Sequence, residues 1–172
     1  MSLIDMRPAA GAALPEADSA QASAPTGPAI VILDTNALLD WRVFKDPAAH
    51  PLAAALAAGT MRWIACPSMQ TEWHHVWPRS VFARWQPDPS LTTTVFEHAH
   101  MVDEPPRGPL KCKDPDDQVF IDLALHLNAQ WLFTKDAALL KLAKRARLRG
   151  TQVLSLQQWV ASAAQAPSLP LA

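Results

Sequence analysis

Three observations in the sequence predict an α/β fold with a mostly parallel central sheet. Short apolar runs alternate with amphipathic helical stretches from residue 29 to about 164. The first run, Ile30–Leu33, is continuous and rich in β-branched residues, the texture of a strand buried on both faces. Between the runs, proline stands at helix starts and glycine at helix ends.

Taken in order, Ile30–Leu33 is the first strand, and residues 36 to about 44 form a short helix. Asp46 caps the next helix, Pro47 opens it and Gly59 stops it. "TMRWIAC" at 60–66 is a second strand. Pro67 opens a helix that runs through Val76 and must end before Pro78. Residues 78–90, with several prolines, are a loop; "LTTTVFEHAHMV" reads as a helix, and 103–111 as another loop. In "DPDDQVFIDLALHLN", Asp114 is the expected N-cap and Pro115 the first helical residue, with Val119, Phe120, Leu123, Ala124 and Leu127 as the apolar stripe. "WLFT" at 131–134 is a strand. "KDAALLKLAKRARLRG" is one amphipathic helix stopped by Gly150. "TQVLSL" is a last strand and "QQWVASAA" a last helix.

The 172 residues suit one domain, and 49% hydrophobic content supplies a sizeable core. A formal net charge of −1 excludes a globally basic nucleic-acid binder and leaves room for a local basic patch. The two cysteines, Cys66 and Cys112, form no metal-type pair and fit a reducing, cytoplasmic setting. No apolar run approaches the ~20 residues that span a bilayer. Residues 1–28 are rich in Ala, Pro and Ser, lack the apolar core of a secretory signal, and read as a disordered extension. Residues 165–172 read as a loose tail, which leaves 29–164 as the folded domain.

The chemistry lies in the carboxylates. In a parallel sheet, ligands collect at the carboxyl ends of the strands. Asp34 stands at one such end and Asp136 just past another, after Thr134 and Lys135. Asp114, Asp116 and Asp117 precede a helix, and Glu72 lies within the helix that follows the second strand. Two like charges ~4 Å apart repel by about 4 kcal/mol at an effective dielectric near 20, so a cluster of three or four needs protons or a cation. An all-oxygen set suits Mg²⁺ or Mn²⁺.

"ILDTN", Glu72, "DPDDQVFIDLA" and "LFTKDAALLKLA" together resemble the PIN-domain family. They are most similar to the PIN nucleases that act as toxins of bacterial toxin–antitoxin pairs, the VapC-like proteins. The resemblance spans residues 29 to about 158. It implies a three-layer α/β/α fold, a divalent metal held by acidic residues, and hydrolysis of RNA to 5′-phosphate and 3′-hydroxyl ends. Matched residue by residue, Asp34, Glu72, Asp117 and Asp136 are the family's four acids. Asp117 is chosen as the third because Ala124, seven residues on, matches a small helical residue of the family; Asp116 is the alternative, one residue away. Thr35, Asn36 and Thr134 are expected to orient the acids or a metal-bound water. Lys135, Lys141, Lys144 and Arg145 are the expected contacts to RNA backbone. The implied partners are an RNA substrate, a small cognate antitoxin and, by general symmetry arguments, a second copy in a homodimer.

Simpler readings compete. Asp34 and Asp136 are good helix caps, Asp116 and Asp117 complement a helix dipole, and a solvated Glu72 is ordinary. The basic run from Lys141 to Arg149 suits a helix C-terminus. Trp73 and Trp77, four apart on one helix, are the best candidates for a partner surface. Two other functions remain: a binding module with a weakened metal site, and a phosphohydrolase with Asp34 as nucleophile, although Asn36 stands where such enzymes need a second Asp.

Overall fold

The computed structural model describes residues 27–77 and 80–165. The extension expected at 1–28 and the tail at 165–172 therefore lie almost wholly outside the described residues. Five strands, β1 (Ala29–Leu33), β2 (Met61–Ala65), β3 (His100–Met101), β4 (Trp131–Phe133) and β5 (Gln152–Leu154), form one sheet in the order β3-β2-β1-β4-β5. Every pairing is parallel. The helices are α1 (Thr35–Leu38), α2 (His50–Ala57), α3 (Pro67–Val76), α4 (Leu91–Thr94), α5 (Gln118–His126), α6 (Ala137–Leu140), α7 (Ala143–Arg147) and α8 (Leu156–Gln165). The α/β class and the parallel sheet are as the sequence predicts.

The strand order fixes where a ligand goes. From β1 the chain winds outward through β2 to β3, then returns to the other side of β1 for β4 and β5. Right-handed crossovers place the two sets of connections on opposite faces. The winding direction therefore reverses between β1 and β4, and the crevice at their carboxyl ends is the topological switch point. Leu33 pairs with Phe133 there, so Asp34 and Thr134 leave the sheet side by side.

The core explains the strands. Val31, Ile32, Leu33, Leu132 and Phe133 are all buried, as a central strand pair sandwiched by helices requires. Helix α5 packs Phe120, Ile121, Leu123 and Ala124 into it. Helix α8 brings Trp159 against Trp131 and Phe133. Helix α3 runs over its expected Pro67–Val76, with Pro67 in its first turn and Trp77 at its C-cap.

Four expectations need correction. The segment 91–102 is not one helix: α4 gives way to a 3-10 turn at Val95–His98 and then to β3, whose two residues hydrogen-bond to β2. Helix α5 begins at Gln118 and not at Pro115, because Asp114 folds back to accept from the Asp116 N–H (3.0 Å) and holds 114–117 as turns. The stretch 135–149 is broken between α6 and α7, where the Leu142 N–H bonds to Leu139 in a tight turn. Trp73 and Trp77 are no partner surface. They are buried and stacked 5.4 Å apart, their indole N–H groups donating to the Leu91 carbonyl and the Thr92 hydroxyl.

The long loop between β3 and α5 is held by two polar side chains of α5. Gln118 accepts from the Cys112 N–H (2.7 Å) and donates to the Leu110 carbonyl (2.8 Å). Asp122 accepts from the Gly108 N–H (2.9 Å) and from Gln118 (2.7 Å). A Cβ on Gly108 would stand 2.9 Å from Asp122 Oδ1, whose carboxylate is itself pinned. Gly108→Ala should therefore cost about 1–3 kcal/mol in urea unfolding, the usual range for overpacking. A cost below about 0.5 kcal/mol would show that the loop is not clamped there.

Candidate metal centre

The site is assembled at the β1–β4 crevice from four stretches of chain. Asp34 follows β1 and is only 1% exposed. Its main chain is locked into the sheet, with its N–H donating to the Phe133 carbonyl (3.0 Å). Its carbonyl accepts from Ala37 and Leu38, so its backbone begins α1, yet its side chain makes no capping bond. Instead Oδ2 accepts from the Thr134 hydroxyl (2.6 Å) and from Asn36 Nδ2 (3.1 Å). A carboxylate that served only as a cap would bond to the helix N–H groups. This one is held for something else.

Glu72 projects from the middle of α3, and Asp117 immediately precedes α5. Asp34, Glu72 and Asp117 each offer an oxygen within 4.8 Å of the other two. At that separation and an effective dielectric near 20, each pair of full charges would repel by about 3–4 kcal/mol. Three such pairs approach the roughly 5–15 kcal/mol that holds a whole domain together. The folded chain must therefore bind protons or a cation here.

The proton affinities agree. Glu72 is pushed up to about 7, mainly by burial and then by the charges of Asp34, Asp116 and Asp114, with the Thr35 hydroxyl pulling the other way. Asp117 is raised to about 7, first by burial and then by Asp136, Asp34, Asp114 and Glu72. Burial also raises Asp34, against the hydrogen bonds from Thr134 and Asn36. These carboxylates bind protons more tightly folded than unfolded. Between about pH 4 and 7 the metal-free chain therefore holds more protons when folded, and its stability falls as pH rises through that window. Saturating Mn²⁺ should raise Tm strongly near pH 8 and little near pH 5, where protons already neutralise the cluster. Equal increments at the two pH values would show that the ion binds elsewhere.

Three oxygen donors from carboxylates, with no nitrogen or sulfur among them, fit a hard divalent cation such as Mg²⁺ or Mn²⁺. The expected residues divide as follows. Asp34, Glu72 and Asp117 come together. Asp116 is exposed and lines the outer cleft with Asp114, outside the three-oxygen cluster. Asp136 is near enough to be the leading charge on Asp117. It is also a helix cap, its Oδ1 accepting from Ala138 (2.6 Å) and Leu139 (3.1 Å). Thr134 joins the two strand-end acids: its hydroxyl donates to Asp34 and accepts from the Asp136 N–H (2.9 Å). Asn36 steadies Asp34, whereas Thr35 faces Glu72.

The expected basic residues fall into two groups. Lys135 forms an ion pair with Asp40, 2.6 Å from Nζ to Oδ2, and so neutralises a buried carboxylate. Asp40 gave no signal in the sequence, since it sits in a π-helical turn (Leu39–Val43) after α1. Lys141, Lys144 and Arg145 are exposed on α6–α7 and form no ion pair among the described residues. The loop anchors Gln118 and Asp122 were also missed. Their one signal was a polar pair, four residues apart, on an otherwise apolar helix face.

This all-parallel sheet, with carboxylates gathered at its switch point, defines an α/β domain whose acidic triad could hold a metal ion. Residues 30–138, more than half of the chain, match the PIN domain, and the chain belongs to that family, whose members are nucleases. No curated protein matches it. Among solved structures, similarity is found to the crystal structure of VapBC2 from Rickettsia felis bound to a DNA fragment from their promoter. Identity there is 15% and the TM-score 0.46, over 72% of this chain and 96% of that one. No helix among the described residues is long and apolar enough to cross a membrane.

Proposed function

We propose that the chain is a Mg²⁺- or Mn²⁺-dependent endoribonuclease, acting as the toxin of a toxin–antitoxin pair in the cytoplasm. The observation that carries this is the convergence of Asp34, Glu72 and Asp117 within 4.8 Å of one another, in a PIN domain. Asp34, Glu72 and Asp117 hold the ion, with Asp136 close beside Asp117 as a fourth acid. A bound divalent ion would polarise the scissile phosphate and lower the pKa of the attacking water. Thr134 and Asn36 keep Asp34 Oδ2 occupied, so that its other oxygen is the one free to meet the ion. Burial of Asp34 keeps water away and makes the site demand an ion before it carries full charge. In-line attack would leave 5′-phosphate and 3′-hydroxyl ends. A small antitoxin that covers the acidic cleft would switch the enzyme off, and a second copy of the chain completes a dimer.

The test is direct. Purified protein should cut single-stranded RNA in Mg²⁺ or Mn²⁺, stop when EDTA is added, and resume when the metal is restored. Cleavage that persists in EDTA would rule out the metal mechanism.

A further inference from the structure

Three open clefts adjoin one another along the loop that precedes α5. The acidic one, about 550 Å³, is lined by Glu72, His75, Asp114, Asp116 and Asp117. A smaller one of about 240 Å³ shares Ser68 and Val119 with it. That cleft in turn shares Arg107, Pro115 and Gln118 with a third, about 510 Å³, walled by Arg107, Lys111 and Lys113. The clefts thus lie in series, acidic at the metal centre, with Glu104, Arg107 and Asp122 lining the middle one and Arg107, Lys111 and Lys113 the far one.

The basic end is built, not incidental. Lys111 and Lys113 are exposed and form no ion pair among the described residues. The guanidinium of Arg107 stands 3.8 Å from Asp122 and is largely open to solvent. Backbone between and beside these cations is fixed from below, at Gly108 by Asp122 and at Leu110 and Cys112 by Gln118. Leu110 and Cys112 are buried while Lys111 and Lys113 are exposed, so the loop alternates inward and outward here. Fixed cations lose less freedom on meeting a polyanion than cations on a loose loop. Lys135, by contrast, is already committed to Asp40.

We propose that Arg107, Lys111 and Lys113 form a phosphate-backbone subsite that seats single-stranded RNA on its way into the acidic cleft. The proposal rests on the nuclease reading of that cleft. Backbone contacts of this kind position the strand without reading its sequence. The cations would also offset the repulsion that the outer acids, Asp114 and Asp116, exert on an approaching phosphate. Asp34 is buried, and a flexible single strand reaches a recessed carboxylate more readily than a rigid duplex does.

The experiment measures binding of a fluorescein-labelled oligouridylate to the full chain carrying Asp34→Asn, which prevents cleavage, over a range of salt. Each lost phosphate contact lowers the slope of log K against log salt by about 0.7 for a single strand. Adding Lys111→Ala and Lys113→Ala should therefore reduce the slope by about 1.4. Between 50 and 200 mM salt the parent would then lose about sevenfold more affinity than the double variant. Arginine at both positions should restore the parent slope. An unchanged slope in the double alanine variant overturns the proposal. So does a slope that falls only when Lys141, Lys144 and Arg145 are replaced, or a parent that binds no RNA. Equal weakening of binding to polyglutamate would mark the groove as a protein-binding surface instead, and also overturns it. If the slope falls as expected while wild-type protein cleaves no RNA in Mg²⁺, the subsite stands and the nuclease reading fails.

Discussion

Asp34→Asn should lower metal-dependent RNA cleavage by at least about 10²-fold, beyond the 10–100-fold typical of losing an outer partner of a metal ligand. The substitution is well suited to isolating charge. An asparagine Oδ1 can accept from Thr134 and Asn36 as the aspartate Oδ2 does, so the local hydrogen bonds survive. What disappears is one full charge in a cluster whose members lie within 4.8 Å. For the same reason the metal-free variant should be more stable than the wild type near pH 8, because a buried carboxylate is costly to ionise. Activity and stability would thus move in opposite directions, the pattern of a group retained for function. Unchanged turnover in the Asn variant, with its Tm raised, would remove Asp34 from the ligand set.

Trp73→Ala should be the most damaging core substitution, costing about 3–5 kcal/mol, with Tm lower by roughly 10–15 °C. Trp73 is completely buried. It stacks on Trp77, which stacks in turn on Phe82 at 6.4 Å, and its N–H satisfies the Leu91 carbonyl at 3.1 Å. Alanine removes the stack, opens a cavity and strands that carbonyl. Glu72 is the preceding residue on the same helix, so Mn²⁺ affinity should fall as well. Trp73→Phe keeps most of the volume and loses the donor, and should cost only about 1–2 kcal/mol. Urea unfolding and metal titration of the two variants together check this; an Ala variant within 1 kcal/mol of wild type would mean that α3 is held by other contacts.

The sheet's inner strands were legible because their signal is local. Ile30–Leu33 is an unbroken apolar run, and Pro67 and Pro78 bracket α3 through covalent geometry. Strand β3 was not legible. It has two residues, both exposed, and becomes a strand only because β2 presents an edge for it to pair with. The start of α5 was misjudged for a related reason: Asp-Pro-Asp-Asp is a good helix opening in isolation, yet Asp114 spends its side chain on an Asx turn. At the site, Asp34, Glu72 and Asp117 were singled out through the family resemblance, and the fold brings their oxygens within 4.8 Å of one another. The Lys135–Asp40 pair was not singled out, because nothing in either residue's own neighbourhood announces a partner 95 positions away. Tryptophans at helical spacing suggested a surface and proved to be core, the commoner fate of residues that size.

The hydrogen bond from Thr134 to Asp34 joins residues 100 positions apart. A ribosome adding about 5–20 residues per second needs roughly 5–20 s to make the intervening chain. Throughout that interval Asp34 has been synthesised but lacks the hydroxyl that holds it, and β1 lacks its β4 neighbour. The domain therefore cannot close its acidic site while most of it is still being translated. An acidic site built this way stays incomplete until strand β4 emerges, a timing set by the order of strands along the chain.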